Sequence, residues 1–345
     1  MNSRLSCSDC DSAELLHVDR RRFVQSVGAG VAAASAGLWP TASHAEGKTP
    51  KSETLVQKLY ASLSDEQKSK ICFDWDRLVD GDLLRTHVEA NWHITEPTVS
   101  SSFFTGDQQE MIETIYFGLY NPDWHSRVRK QLQDDADGYG KRQSIAIFGQ
   151  PGSGKFQFVM TGRHLTIRCD GDSEEHVAFG GPIFYGHAAG GFNEPADHAG
   201  NVFWDQALKA NALYKMLDGK QRAQALIDEA PEQSEVHFRK KKSAIPGLRL
   251  AELSKDQHEN VEKVLASLLE PYRESDRKEA STCLKAQGGL DECRISFYKS
   301  DDVGEDGVWD VWRLEGPSFV WHYRGDPHVH VWVNVADDPN VKIST

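Results

Sequence analysis

Trp321-His322-Tyr323-Arg324-Gly325-Asp326-Pro327-His328-Val329-His330-Val331-Trp332-Val333 sets two residue runs of period two on either side of a Gly-Asp-Pro break. Side chains alternate faces along a strand, so His328 and His330 share one face while Val329, Val331 and Val333 fill the other. If Gly325 to Pro327 is a three-residue hairpin loop, Arg324 lies opposite His328 and His322 opposite His330. Trp321 and Tyr323 then fall with the valines. The pattern predicts an antiparallel hairpin with an apolar face for the core and a second face lined by histidines.

Further strands are expected at Arg294 to Lys299, Val308 to Leu314, Ser144 to Phe148 and Ile183 to Tyr185, and within the glycine-punctuated stretch Phe156 to Cys169. Helical spacing of apolar residues marks Glu53 to Ile71, with Ser64 and Gln67 as a capping box for its second part. It also marks Asp107 to Leu119, a helix capped by Asp123 and running through Asp134, Phe203 to Glu229, and Ser254 to Leu269 with Ser254 and Gln257 as a capping pair. Helices grouped apart from strands joined by short turns predict an α+β fold: a single domain with a largely antiparallel sheet and helices packed around it.

The chain has 345 residues, 39 Lys+Arg against 52 Asp+Glu and a formal net charge of -13. An acidic chain repels phosphate backbones and anionic lipid, so neither nucleic acid nor a membrane surface is an expected partner. The one dense basic run, Arg239-Lys240-Lys241-Lys242, reads as a solvated loop, and no stretch of 18 apolar residues could span a bilayer. Residues 1–45 are read as a twin-arginine signal: Arg20-Arg21-Arg22-Phe23-Val24, a Gly/Ala-rich run, and Ser43-His44-Ala45 as a cleavage site. Residues 46–345 are then a single α+β metal-binding domain delivered by the twin-arginine export machinery to the periplasm or beyond. That route carries folded proteins and often those that acquire a metal in the cytoplasm. In an oxidising compartment Cys283 and Cys293 could close a short disulfide loop.

Gly149-Gln150-Pro151-Gly152-Ser153-Gly154-Lys155 fits the first seven places of a phosphate-binding loop. The eighth is Phe156, where Ser or Thr would hold magnesium, and a strand-like run follows instead of a helix. The segment is expected to be a hairpin loop. No Gly-x-Ser-x-Gly elbow is present, and Cys169 has no recognisable activating partner.

The chain contains fourteen histidines. His164, in Thr161-Gly162-Arg163-His164-Leu165, and His187, in Gly180-Gly181-Pro182-Ile183-Phe184-Tyr185-Gly186-His187, join His322, His328 and His330 as candidate metal ligands. His176 and His198 are weaker candidates. Imidazole-rich sites without thiolates suit Cu, Zn, Fe or Ni, whereas Ca and Mg want oxygen ligands. The affinity order and the lack of an evident carboxylate ligand favour copper over zinc or iron. Arg324, on the same predicted face, is the candidate catalytic residue, placed to hold an anionic substrate or oxyanion. Three function classes remain open: a metalloenzyme acting on a small molecule, by redox chemistry or by zinc-assisted hydrolysis; a metal-storing protein without turnover; and a module that binds a polar ligand without metal.

These segments, with Leu217-Asp218-Gly219-Lys220-Gln221-Arg222 and Gly316-Pro317-Ser318-Phe319-Val320, resemble domain-of-unknown-function family 3500, a large family of exported bacterial proteins. The likeness runs from about Asn91-Trp92-His93 to the C-terminus. Many members carry a Gly-x-His-Leu piece matching His164 and a His-x-His piece matching His328 and His330. Many have Glu at the position of His322. Both residue types bind metals, so the resemblance implies a coordination position there. It implies nothing about the reaction.

Overall fold

The computed structural model describes residues 51–189, 200–239, 244–299 and 309–343. The twin-arginine segment, His198 and most of the basic run lie outside the described residues. Helix α1 (Ser52–Ser62) and α2 (Asp65–Ile71) lead into the short strands β1 (Cys72–Phe73), β2 (Leu78–Val79) and β3 (Asp82–Leu83). Helices α3 (Gly106–Phe117) and α4 (His125–Ala136) precede the strands β4 (Gln143–Gly149), β5 (Phe156–Gly162), β6 (Leu165–Cys169) and β7 (Ile183–His187). Next come α5 (Trp204–Met216), α6 (Gly219–Ala225), β8 (Leu226–Ile227), β9 (Leu248–Arg249), α7 (Lys255–Leu269) and α8 (Glu274–Ala286). The chain ends on the meander β10 (Arg294–Tyr298), β11 (Val311–Gly316), β12 (Phe319–Arg324) and β13 (Val329–Val335).

Eleven of these strands form one sheet, in the order β1-β4-β5-β6-β7-β13-β12-β11-β10-β8 with β9 also on β10. Its pairings are antiparallel except where β1 meets β4 and β8 meets β10. The α+β architecture with a mostly antiparallel sheet is therefore as the sequence pattern predicts. The last strand of the meander, β13, is hydrogen-bonded to β7, which closes the two halves of the chain into one surface.

Alternation along β13 and β12 assigns the two faces. Val329, Val331, Val333, Trp321 and Tyr323 enter the large core beneath the helices, with Leu59, Ile112, Val261 and Leu268. Trp332 joins a smaller cluster with Ala90, Phe184, Val236 and Phe238 on the other face. Strands buried on both sides read as nearly continuous apolar runs, so polar residues such as His330 and Asn334 stand out in β13.

Helix ends follow local capping chemistry. Ser64 with Gln67 and Ser254 with Gln257 form the expected capping boxes. Thr105 with Gln108 and Asp218 with Gln221 form two more. The Asp218 box splits the long helix expected over Phe203 to Glu229 into α5 and α6. Ahead of α4, Asn121 rather than Asp123 supplies the capping oxygen, because a 3-10 turn at Pro122–Trp124 runs directly into the helix. Helix α8 was not expected, since only Asp276, Ala280, Cys283 and Leu284 of its thirteen residues are buried. Gly149 pairs with Phe156, so the phosphate-loop look-alike is the predicted hairpin loop. The Cys283–Cys293 bridge is a correction: both are buried free thiols, and Cys293 Sγ faces the Gly289 carbonyl at 3.7 Å.

One carboxyl group makes the fold's stability depend on pH. Glu279 of α8 accepts a hydrogen bond from the Phe179 amide at 3.1 Å. Burial first, and then the charge of Asp170 with lesser help from Asp276 and Asp172, pushes it up to about 8. Asp170 itself is pushed up to about 6, chiefly by burial. An acid whose folded pKa is raised keeps its proton longer in the folded state. Its contribution is therefore full below the unfolded value near 4.3 and is lost as pH rises through about 8. Glu279→Gln, whose amide oxygen can still accept from Phe179, should melt above wild type by a margin that widens from pH 5 to 9. The margin should reach ~2–4 °C if about 1 kcal/mol survives solvent screening. A pH-independent difference in melting temperature would contradict this origin.

Candidate metal centre

Three imidazoles from two distant hairpins converge on one point. His328 and His330 come from the β12–β13 hairpin, His164 from the β5–β6 hairpin. The Nε2 atoms of His164 and His328 lie 3.1 Å apart, those of His328 and His330 2.9 Å, and those of His330 and His164 3.1 Å. All three residues are buried, and among the described residues they form the one group of three His, Cys, Asp or Glu side chains close enough to share a metal ion.

His164 occupies a position the strand pattern did not anticipate. The stretch Phe156 to Cys169 is two strands, and Gly162 pairs with Leu165, leaving Arg163 and His164 as a two-residue turn. His164 has φ +57°, a left-handed conformation uncommon outside glycine. Its amide donates to the Ala90 carbonyl at 2.8 Å, and Arg163 bridges to Asn91, so the neighbouring segment anchors the turn. Gly186, opposite His330 in the β7–β13 pairing, makes room for the imidazole. A Cβ there would approach the His164 ring to 3.3 Å and the Val329 carbonyl oxygen to 2.5 Å.

The far nitrogens of two rings are fixed by residues that sequence inspection did not identify. His164 Nδ1 lies 3.0 Å from the Asp135 carboxylate, with both side chains fully buried. Burial alone would raise the Asp135 carboxyl. The charge and hydrogen bond of His164, assisted by His187 and the Ala188 amide, outweigh it and hold the group below its ordinary range. An ionised Asp135 only accepts, so Nδ1 of His164 carries hydrogen. His330 Nδ1 lies 3.1 Å from Gln233 Oε1. Trp332 Nε1, which can only donate, contacts the same Gln233 atom at 3.3 Å. That atom is therefore the amide oxygen, and His330 Nδ1 must be its other donor. In the neutral rings both constraints leave an Nε2 lone pair directed at the centre, the arrangement that orients histidine in metal sites.

Electrostatics keep His328 and His330 uncharged. Burial, then His164, Arg324 and Arg163, push His328 down to about 2, with Asp135 opposing. Burial, followed by Arg324, holds His330 far below the usual histidine range.

The other two candidates lie apart from this point. His187 receives the Val202 amide on Nδ1 at 3.0 Å and directs Nε2 to Asp134 at 3.0 Å, which engages both nitrogens. Asp134 and Asp135, adjacent on α4, thus each hold one histidine. His322 faces Trp332, not His330, because Arg324 pairs with His330 and the hairpin loop is two residues longer than expected. Its Nδ1 accepts from Arg313 Nε at 3.1 Å. Arg324, the candidate catalytic residue, is half-buried directly across from His330. His176 is paired with Asp337 at 2.8 Å on the surface.

A family model described as "Protein of unknown function (DUF3500)" matches residues 45–335. Neither the curated proteins nor the solved structures yield a match.

Proposed function

Because the chain belongs to the DUF3500 family, whose description assigns no activity, we propose from the site itself that the protein is an exported mononuclear transition-metal protein with redox activity. His164, His328 and His330 hold the ion through Nε2. The observation that carries this reading is the triangle of three Nε2 atoms with sides of 2.9–3.1 Å. Neutral imidazoles directing lone pairs into one buried point repel one another unless a proton or a cation lies between them. A metal ion satisfies all three at once, and Asp135 and Gln233 hold the tautomers it requires.

The triangle also bears on which metal. With metal–nitrogen bonds of about 2.0–2.1 Å, nitrogens this far apart would subtend about 87–102° at an ion. That is close to the right angles of tetragonal or octahedral coordination and short of the ~109° of a tetrahedron. Three protein ligands would leave part of such an ion's coordination sphere to exogenous ligands, as a catalyst requires. Square-planar and tetragonal nitrogen sites suit Cu(II), which also stands highest in the divalent affinity order, so copper is favoured over zinc or iron. Delivery by the twin-arginine route, read from Arg20-Arg21-Arg22, accords with loading in the cytoplasm before export.

Elemental analysis of the mature protein, purified without an affinity tag, tests the reading. About one equivalent of a transition metal is expected, with copper retained in competition with zinc. A protein that contains no transition metal and takes none up would overturn it. Metal uptake with no turnover of oxygen or peroxide alongside a reductant would leave a carrier in place of an enzyme.

A further inference from the structure

One residue removed from His330, through Gln233 and Arg324, lies a cavity of about 270 Å³ lined by Ala230, Pro231, Glu232, Gln233, Val311, His322 and Arg324. It is smaller than the ~300–1,000 Å³ usual for drug-sized ligands, so its occupant is a small molecule. Two of its walls are tied to the trio. Gln233 holds Nδ1 of His330, and Arg324 is the cross-strand partner of His330.

The cavity presents hydrogen-bond donors. Arg313 Nε donates to Nδ1 of His322, so in the neutral ring the hydrogen must sit on Nε2. That ring is kept neutral by burial first and then by Arg313 and Arg324. His322 thus offers an N–H in the same cavity as the Arg324 guanidinium, whose planar fork matches a carboxylate. Ala230, Pro231 and Val311 supply an apolar wall for a short hydrocarbon chain. The exposed Glu232 at the rim repels a second negative charge, which disfavours phosphate dianions.

We infer that this cavity is the subsite for a small organic monocarboxylate, gripped by Arg324 and His322 beside the three-histidine centre. As a substrate subsite it rests on the metal-protein reading; as an anion site it can be tested apart from it. The bound carboxylate meets Arg324 and the Gln233 segment, both of which touch the surroundings of His330. Occupancy of the cavity is therefore felt at the centre.

Calorimetric titration of the mature full-length protein, as purified and again after chelation, would use acetate and propionate as probes. Acetamide is the neutral control and inorganic phosphate the competing anion class. The carboxylates should bind in both preparations and acetamide should not. Arg324→Gln should weaken binding about tenfold or more, with Arg324→Lys intermediate. His322→Phe should weaken it less, since one neutral donor is lost. Metal content measured on each variant should match wild type, which separates this test from that of the centre. Equal affinity in wild type and Arg324→Gln, no carboxylate binding in either preparation, or tighter binding of phosphate than of propionate would each overturn the assignment. Circular dichroism identifies any variant that has unfolded, and Arg324→Lys then decides.

Discussion

His164→Ala protein, exposed to copper and freed of excess, is expected to retain less than about a tenth of the metal held by wild type. His330→Ala should behave the same way. Structural metal sites with four ligands bind with roughly 10–16 kcal/mol, or about 2.5–4 kcal/mol per ligand, so deleting one of three should weaken affinity by ~100–1,000-fold. His187→Gln is the informative comparison. Both nitrogens of His187 are already engaged, by the Val202 amide and by Asp134, so this variant should keep its metal even if it melts earlier. Metal content should be read by elemental analysis beside a thermal melt. Unchanged metal in both His164→Ala and His330→Ala would refute the ligand set.

The contrast between these histidines shows which parts of the site are written in local sequence. His328 and His330 were legible because a strand has period two, which places both on the face opposite Val329, Val331 and Val333. The same periodicity could not locate His322. A register with Arg324 opposite His328 and one with Arg324 opposite His330 differ by two residues, so both keep every side chain on its face. Only the loop length separates them, and the chain takes the longer loop. His322 thereby moves beyond the trio and turns to Arg313 instead.

His164 was singled out for its residue type, though its setting differed from expectation. Alternation through Leu165 and Ile167 suggested a strand interior, while the residue occupies the tip of a turn at φ +57°. Gly162 beside it is the local sign of that turn. The sheet itself was readable from its β-branched and aromatic runs, whereas α8 was not, because a helix with a narrow buried stripe leaves little periodic signal. Nothing local marks Gln233, which lies in an irregular segment nearly a hundred residues from His330 and meets it only through the folded sheet.

Asp135 poses the sharper test, because replacing it exchanges an acceptor for a group that can donate without changing size. Asp135→Asn should weaken metal binding by about 10–100-fold, the usual range for losing a partner behind a metal-binding histidine. The carboxylate takes the hydrogen of His164 Nδ1 at 3.0 Å, accepts the Ala188 amide at 3.0 Å and receives Gln131 Nε2 at 2.9 Å. An asparagine oxygen can serve Ala188, which turns the amide NH2 toward His164. The imidazole would then accept on Nδ1 and carry its hydrogen on Nε2, where the ion should bind. Coordination would require an inverted amide or a broken hydrogen bond, and either costs free energy in a site with no solvent to compensate. Asp135→Ala removes the acceptor without imposing the wrong tautomer, although it leaves a cavity. Tighter metal binding by the alanine variant than by the isosteric asparagine variant would therefore identify tautomer control as the role of this carboxylate. Equal retention of metal by wild type, Asp135→Asn and Asp135→Ala would show that the His164–Asp135 contact serves only the packing of α4 against the sheet.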